Sequence, residues 1–254
     1  MAGKVWLIGG TSDSKIIAEI LMRADIHLVV SVTTETARTL YPAGTEVLVG
    51  TMELSAMKTF CVQNAIATVI DASHPYATAV SRQAIATATQ LNLPYLRYER
   101  NNFKPDSTVD KRSEIIELDS FEDLLAGNYL RGQRVFLTVG CKILPQFQSW
   151  QSRATLYARV LPKVASLETA LAAGFTSDRL IAMRPPISRE METALWQQWR
   201  ISLVVTKASG APGGEDVKYQ VAANLGIPLI VVQRPQIRYP HQTSNLSEIV
   251  AFCL

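Results

Sequence analysis

What most constrains this chain is an alternation of short β-rich runs with helical patterns along almost its whole length. The runs KVWLI, HLVVSV, EVLVG, ATVIDA and PYLRY come first, with helical patterns between the first pair, between the third and fourth, and before the fifth. Strands separated by helices cannot close as hairpins. Each helix carries the chain back along the sheet, so the strands pair in parallel and the helices cover both faces. After Tyr98 the segment ERNNFKPDSTVDKRS turns polar and loses all periodicity, which marks a crossing between domains. A second series follows: EIIEL, a helix near SFEDLLAG, RVFLTVG, TLYARVL, a helix near SLETALAAG, RLIAM, a helix over SREMETALWQQWR, SLVVTKASG, a helix over EDVKYQVAANLG, and IPLIVVQRP. The expectation is an α/β protein of two open parallel-sheet domains, residues 1–98 and 99–254, with a cleft between the carboxyl ends of the sheets, where such folds bind ligands.

Composition narrows the partners. A chain of 254 residues can bury two cores, and 48% apolar with 19% charged residues is a globular balance rather than a disordered one. The net charge of +3 comes without a clustered Lys/Arg stripe, which argues against nucleic acid and suits a small anionic ligand. Cys61, Cys141 and Cys253 stand far apart, without CxxC spacing or a nearby His, so neither a disulfide framework nor a protein metal site is expected, and a reducing, cytoplasmic setting is. The opening MAGKVWLIGG is too short an apolar run for a signal peptide, and no stretch approaches the roughly 20 apolar residues that cross a bilayer. A monomer or small homo-oligomer without membrane contact is expected.

Candidate functional residues are those just after strands. In LIGGTSDSKIIAEIL the first strand runs into Gly9, Gly10, Thr11 and Ser12, followed by a helix capped by Ser12, Asp13 or Ser14. Small residues there let backbone amides approach phosphate oxygens at a helix N-terminus. The spacing is neither G-x-G-x-x-G nor a Walker A loop, so a plain tight turn is the competing interpretation. After the second strand, SVTTETAR offers the neutral donors Ser31, Thr33 and Thr34, with Arg38 able to reach a phosphate; this leans toward NADPH, while Glu35 leaves NADH open. DASHPYA follows the fourth strand: Ser73 or Asp71 caps the next helix, Pro75 fits its first turn, and His74 and Tyr76 project at the mouth of the cleft. In the second half, Lys142 follows one strand and Tyr157 and Arg159 alternate along another. The glycine-rich TKASGAPGGEDVK adds Lys207, Ser209, Gly210, Gly214 and Lys218. Cations and glycine turns converging on strand ends suit carboxylates or phosphates. None of the eight tyrosines has a lysine four residues later, which disfavours the Tyr-x-x-x-Lys route to carbonyl reduction.

In order along nearly the whole chain, IGGTSDS, DASHPYA, LTVGCKIL, YARVLP and TKASGAPGGEDVKYQVAANLGIPLIVVQRP resemble the precorrin-6A reductase family of cobalamin biosynthesis. The resemblance implies two Rossmann-like domains and hydride transfer from NADPH or NADH to a ring double bond of a tetrapyrrole, the corrin precursor. Both cobalt-bearing and metal-free substrates occur in that family, and any cobalt arrives inside the substrate. A partly built corrin carries many acetate and propionate groups, which Lys142, Arg159, Lys207 and Lys218 would offset. His74 or Tyr76 would guide the ring or supply the accompanying proton. The rival reading is a protein that binds a tetrapyrrole or nucleotide without reacting it, or another small-molecule oxidoreductase.

Overall fold

The computed structural model describes residues 3–101, 103 and 113–254. The centre of the polar segment, residues 104–112, on which the domain crossing was placed, lies outside the described residues. The first series forms β1 (Lys4–Ile8), α1 (Ser12–Arg23), β2 (Leu28–Val32), α2 (Glu35–Arg38), β3 (Glu46–Val49), α3 (Leu54–Gln63), β4 (Ile66–Asp71), α4 (Thr78–Gln90) and β5 (Tyr95–Tyr98). The second forms β6 (Ile115–Leu118), α5 (Phe121–Ala126), β7 (Arg134–Leu137), a 3-10 helix (Cys141–Trp150), β8 (Thr155–Val160), α6 (Val164–Ala172), β9 (Leu180–Ala182), α7 (Arg189–Gln198), β10 (Leu203–Lys207), α8 (Glu215–Leu225) and β11 (Leu229–Val232). The chain ends in β12 (Gln242–Thr243) and α9 (Leu246–Cys253).

The strands make two six-stranded sheets, ordered β3-β2-β1-β4-β5-β12 and β9-β8-β7-β10-β11-β6. Every pairing is parallel. Both sheets therefore wind outward from a central pair, β1/β4 in one and β7/β10 in the other. At such a switch point the crossovers leave in opposite directions, so the loops at the carboxyl ends part and leave a crevice.

Period-2 alternation splits each strand between two cores. In the first sheet Val5, Leu7, Val30 and Ile70 pack with Ile17 and Leu21 of α1 and Ile249 of α9, whereas Trp6, Ile8, Val29 and Val69 pack on the other face with Met57, Cys61, Ala84 and Ala88. In the second, Phe136, Val204, Leu229 and Val231 pack against Trp196, Tyr219 and Ala222. Truncating a fully buried side chain such as Leu21 to Ala would cost about 2–5 kcal/mol.

The C-terminus corrects the sequence-based division. The chain resolves into Met1–Asn101 with Pro235–Leu254, and Asn102–Arg234, so the last stretch does not belong to the second unit. Its return has a physical reason: β5 would otherwise be a bare edge. There Arg97 N–H donates to His241 O and Glu99 N–H to Thr243 O, both at 2.9 Å, while Ile249 is fully buried beside α1. A two-residue strand leaves no periodic signal to read. The single-turn α2 and the 3-10 helix after Gly140, which contains Pro145, also lie outside the sequence expectation.

Candidate functional site at the first switch point

At the carboxyl end of β1, Gly10 takes φ +97°, a conformation that a side chain would strain. Gly9 is constrained differently: a Cβ there would lie 2.1 Å from the hydroxyl of Tyr41. The helix cap is Thr11 rather than any of the three residues after it. Its side chain accepts from the Ser14 amide at 3.1 Å, and Ser14 Oγ accepts from the Thr11 amide at 3.0 Å, a reciprocal capping box. The Gly10 amide donates to Tyr41 Oη at 2.7 Å. Two amides expected to face a phosphate are thus used within the turn. Among the described residues those of Ser12 and Asp13, at the open first turn of α1, have no protein acceptor. The Asp13 carboxylate in the same turn is paired with Arg100 at 2.8 Å.

The end of β2 stands beside this turn, Ile8 pairing with Ser31. Ser31 is buried and its Oγ accepts from Trp6 Nε1 at 2.9 Å, which ties it to the core instead of a ligand. Thr34 caps α2 by accepting from Ala37 N–H at 3.3 Å. Thr33 and Arg38 are exposed, Arg38 making a long contact of 3.5 Å to Glu35.

On the β4 side, Thr11 Oγ1 donates to Ala72 O at 2.8 Å and joins the glycine turn to DASHPYA. Asp71 has no exposed surface. Its Oδ1 accepts from Arg97 Nη1 (3.0 Å) and the Ser73 amide (2.9 Å), and its Oδ2 from Ser81 (2.6 Å) and Tyr95 (2.7 Å). Burial alone would raise its pKa, but the Arg97 charge and the bonds from Ser81 and Ser73 outweigh it and hold the carboxyl below its ordinary range. Ser73 is buried too, its Oγ accepting from Arg97 at 3.2 Å. Asp71 and Ser73 therefore build the floor of the loop, where a ligand contact was expected. Neither caps α4: its N-cap is Ala77, with no side-chain bond, so Pro75 sits in the preceding turn. His74 is exposed, its Nδ1 accepting from the Tyr76 amide at 3.2 Å and its ring 5.8 Å from that of Tyr76.

In the second unit the cations divide between surface and interior. Lys142, after Gly140, is exposed, and Lys207, at the end of β10, is half-buried with its ammonium 5.6 Å from the centre of the Phe121 ring. Burial, then the charge of Lys142, lowers the Lys207 pKa to about 8. Arg159 is buried and paired with Glu192 at 2.6 Å. Lys218 is buried and donates to Gly213 O and Gly214 O at 2.9 and 3.0 Å. The Gly210 amide donates to the buried Glu215 carboxylate at 2.6 Å, so an acidic side chain of this chain fills the place an anion would take. Gly214, at φ +69°, opens α8, and Ser209 Oγ would lie 2.0 Å from a Cβ on Gly213. Tyr157 stacks on Trp199 at 4.8 Å and bonds Arg134. Arg159, Lys218, Gly210, Gly214 and Tyr157 thus shape the unit from within, and Lys142 and Lys207 are the cations at its switch point.

Tyr41, Arg97, Glu192 and Glu215 were not among the residues singled out from the sequence. A signal existed for two of them: an Arg in the middle of a buried strand such as YLRY requires an acidic partner, and a Glu directly after two glycines stands where it can cap the loop's own amides.

Fold and site together define a class, the doubly wound α/β proteins with a nucleotide-type turn at a switch point. Comparison with known proteins narrows it. Residues 4–254 match the family model "Precorrin-6x reductase CbiJ/CobK". Over 254 residues the chain is 45% identical to the cobalt-precorrin-6A reductase of Synechocystis sp., covering 98% of this chain and 95% of that one. It is 29% identical to the precorrin-6A reductase of Mycobacterium tuberculosis, covering 91% and 89%. The solved structure of CobK precorrin-6A reductase superposes with a TM-score of 0.79 over 98% of this chain and 96% of that one, at 21% identity. The chain belongs to the precorrin-6x reductase family, the reductases of corrin ring synthesis.

Proposed function

We propose that this chain reduces one ring double bond of cobalt-precorrin-6A with hydride from NADPH. The observation that carries the proposal is the meeting of the Gly-Gly-Thr turn and DASHPYA at one switch point, joined by the Thr11–Ala72 bond of 2.8 Å, in a chain matched to the family over residues 4–254. The residues present fit a dinucleotide. The open amides of Ser12 and Asp13 suit the diphosphate, and Thr33 and Arg38 stand where the adenosine ribose lies in such folds. The exposed Arg38 suits a 2′-phosphate, which favours NADPH. When bound, the nicotinamide supplies the hydride.

The protein's own part is to hold the rings and deliver a proton. With Nδ1 accepting from the Tyr76 amide, His74 has its ring hydrogen on Nε2, which suits it to guide the ring by a hydrogen bond, and the Tyr76 hydroxyl is suited to supply the accompanying proton. Lys142 and Lys207 suit the acetate and propionate carboxylates of the substrate. The cobalt-bearing form is favoured by the 45% identity to a relative named for it. Each turnover breaks one C=C, adds hydride to one carbon and a proton to the other, and oxidises one nicotinamide. The test is anaerobic incubation of the purified protein with either form of precorrin-6A and with NADPH or NADH. Loss of reduced-nicotinamide absorbance that depends on the tetrapyrrole, with a product two hydrogens heavier, is expected. Tetrapyrrole binding without oxidation of the nicotinamide would make the protein a carrier instead.

A further inference from the structure

Tyr41 lies in the loop between α2 and β3, 31 residues from Gly10, yet its hydroxyl sits in the glycine turn. Only 8% of the residue is exposed. Burial raises the phenol pKa above its ordinary value, against the effect of its bonds to Ser14 and Gly10, so the hydroxyl keeps its proton. The bonds around it can be assigned atom by atom. Ser14 has one hydroxyl proton, which goes to Thr11 O at 2.8 Å. The 2.7 Å contact between Ser14 Oγ and Tyr41 Oη then has Tyr41 as donor, and Tyr41 Oη in turn accepts the Gly10 amide. A continuous chain results: Gly10 N–H to Tyr41, Tyr41 O–H to Ser14, Ser14 O–H to Thr11 O.

We infer that Tyr41 is a positioning residue of the nucleotide turn. It fixes the turn before any ligand arrives and draws the Gly10 amide inward, so that the amides of Ser12 and Asp13 are the ones presented to phosphate. Gly9 is explained chiefly by the same contact, because a Cβ there would meet the Tyr41 hydroxyl at 2.1 Å, whereas Val30 Cγ1 and the ring carbon that carries the hydroxyl lie at 3.0 and 3.1 Å. Gly9 makes room for Tyr41, whereas Gly10 supplies φ +97°. Preorganisation of this kind acts on nucleotide affinity and leaves the reaction of bound substrates unchanged.

The inference rests on the turn being the nucleotide site. Tyr41→Phe keeps the ring and removes the hydroxyl. Against wild type, NADPH binding by calorimetry should weaken roughly three- to tenfold, as for one net hydrogen bond. The KM for NADPH should rise alike, with kcat at saturating NADPH and the tetrapyrrole KM each within about twofold. A second pair of variants separates positioning from general loosening. Gly9→Ala should lower the melting temperature in the wild-type background and lower it less in Tyr41→Phe, since the oxygen at 2.1 Å is gone while Val30 Cγ1 at 3.0 Å remains. Equal NADPH affinity in Tyr41→Phe and wild type, or a Gly9→Ala effect of the same size in both backgrounds, would overturn the inference while leaving the functional proposal standing. Wild-type protein that binds no nicotinamide nucleotide would overturn both.

Discussion

Replacing Asp71 by Asn keeps the shape of the side chain and removes the charge beneath the DASHPYA loop. Asp71 and Arg97 are 0% and 1% exposed and 3.0 Å apart. Removing one partner strands the other in a low-dielectric interior, which typically costs about 3–5 kcal/mol. Arg97 keeps Glu99 at 3.1 Å, which offsets part of the loss. Ser81 and Tyr95, which both donate to Oδ2, meet either an amide NH2 or a neutral oxygen in place of a carboxylate. We expect about 3 kcal/mol from urea unfolding, with faster hydrogen exchange at the β4 and β5 amides. A like substitution at the surface is the control. The Lys4–Glu46 pair is 2.6 Å apart but 38% and 51% exposed, so Glu46→Gln should change stability by less than about 1 kcal/mol. The pH dependence supplies a second arm. Because the folded-state pKa of Asp71 is lowered, its contribution is complete above the ordinary carboxylate pKa and is lost as pH falls through the folded value. Asp71→Asn should therefore flatten the acid limb of the stability curve. A loss no larger than that of Glu46→Gln, with the acid limb unchanged, would refute the claim that this pair holds the loop.

Gly10→Val should weaken NADPH binding in a folded protein through backbone strain of roughly 1–3 kcal/mol, because φ is +97° and no atom lies within 4 Å of the added Cβ; calorimetry showing wild-type affinity would contradict this. His74→Ala should lower kcat at least about tenfold, equivalent to about 1.4 kcal/mol of barrier, and leave the melting curve in place, since the side chain is exposed; steady-state rates at wild-type level would return the residue to a turn-shaping role. Lys207 carries its charge below about pH 8, so tetrapyrrole KM should rise as pH passes upward through that value. Lys207→Arg should abolish the rise, and Lys142→Ala, which removes a neighbouring positive charge, should shift it to higher pH; a KM for the wild type that is flat across that value would rule out Lys207 as a carboxylate contact.

The sheets were legible in the sequence because their information is local: runs such as KVWLI and SLVVTKASG carry strand propensity and length in themselves, and all eleven runs, with the seven helical patterns among them, map onto elements in order. The candidate loops of the first switch point were legible for the same reason, since Gly9–Gly10 and the DASHPYA stretch each stand at the end of a buried run, although the strand order that brings them together was not. What escaped is non-local. The return of β12 to β5 depends on an edge left open by residues far upstream. The fate of each polar side chain near a strand end depends on a partner that the one-dimensional spacing does not name. Lys207 and Lys218 look alike in TKASGAPGGEDVK, yet Lys218 turns inward onto two glycine carbonyls while Lys207 stays half-exposed beside Lys142. Arg159 in YARVLP reads as a free cation until Glu192, 33 residues on, is found 2.6 Å away. A buried charge and a ligand-binding charge satisfy the same requirement, a partner within hydrogen-bond reach, and only the fold decides whether that partner comes from the chain or from the substrate.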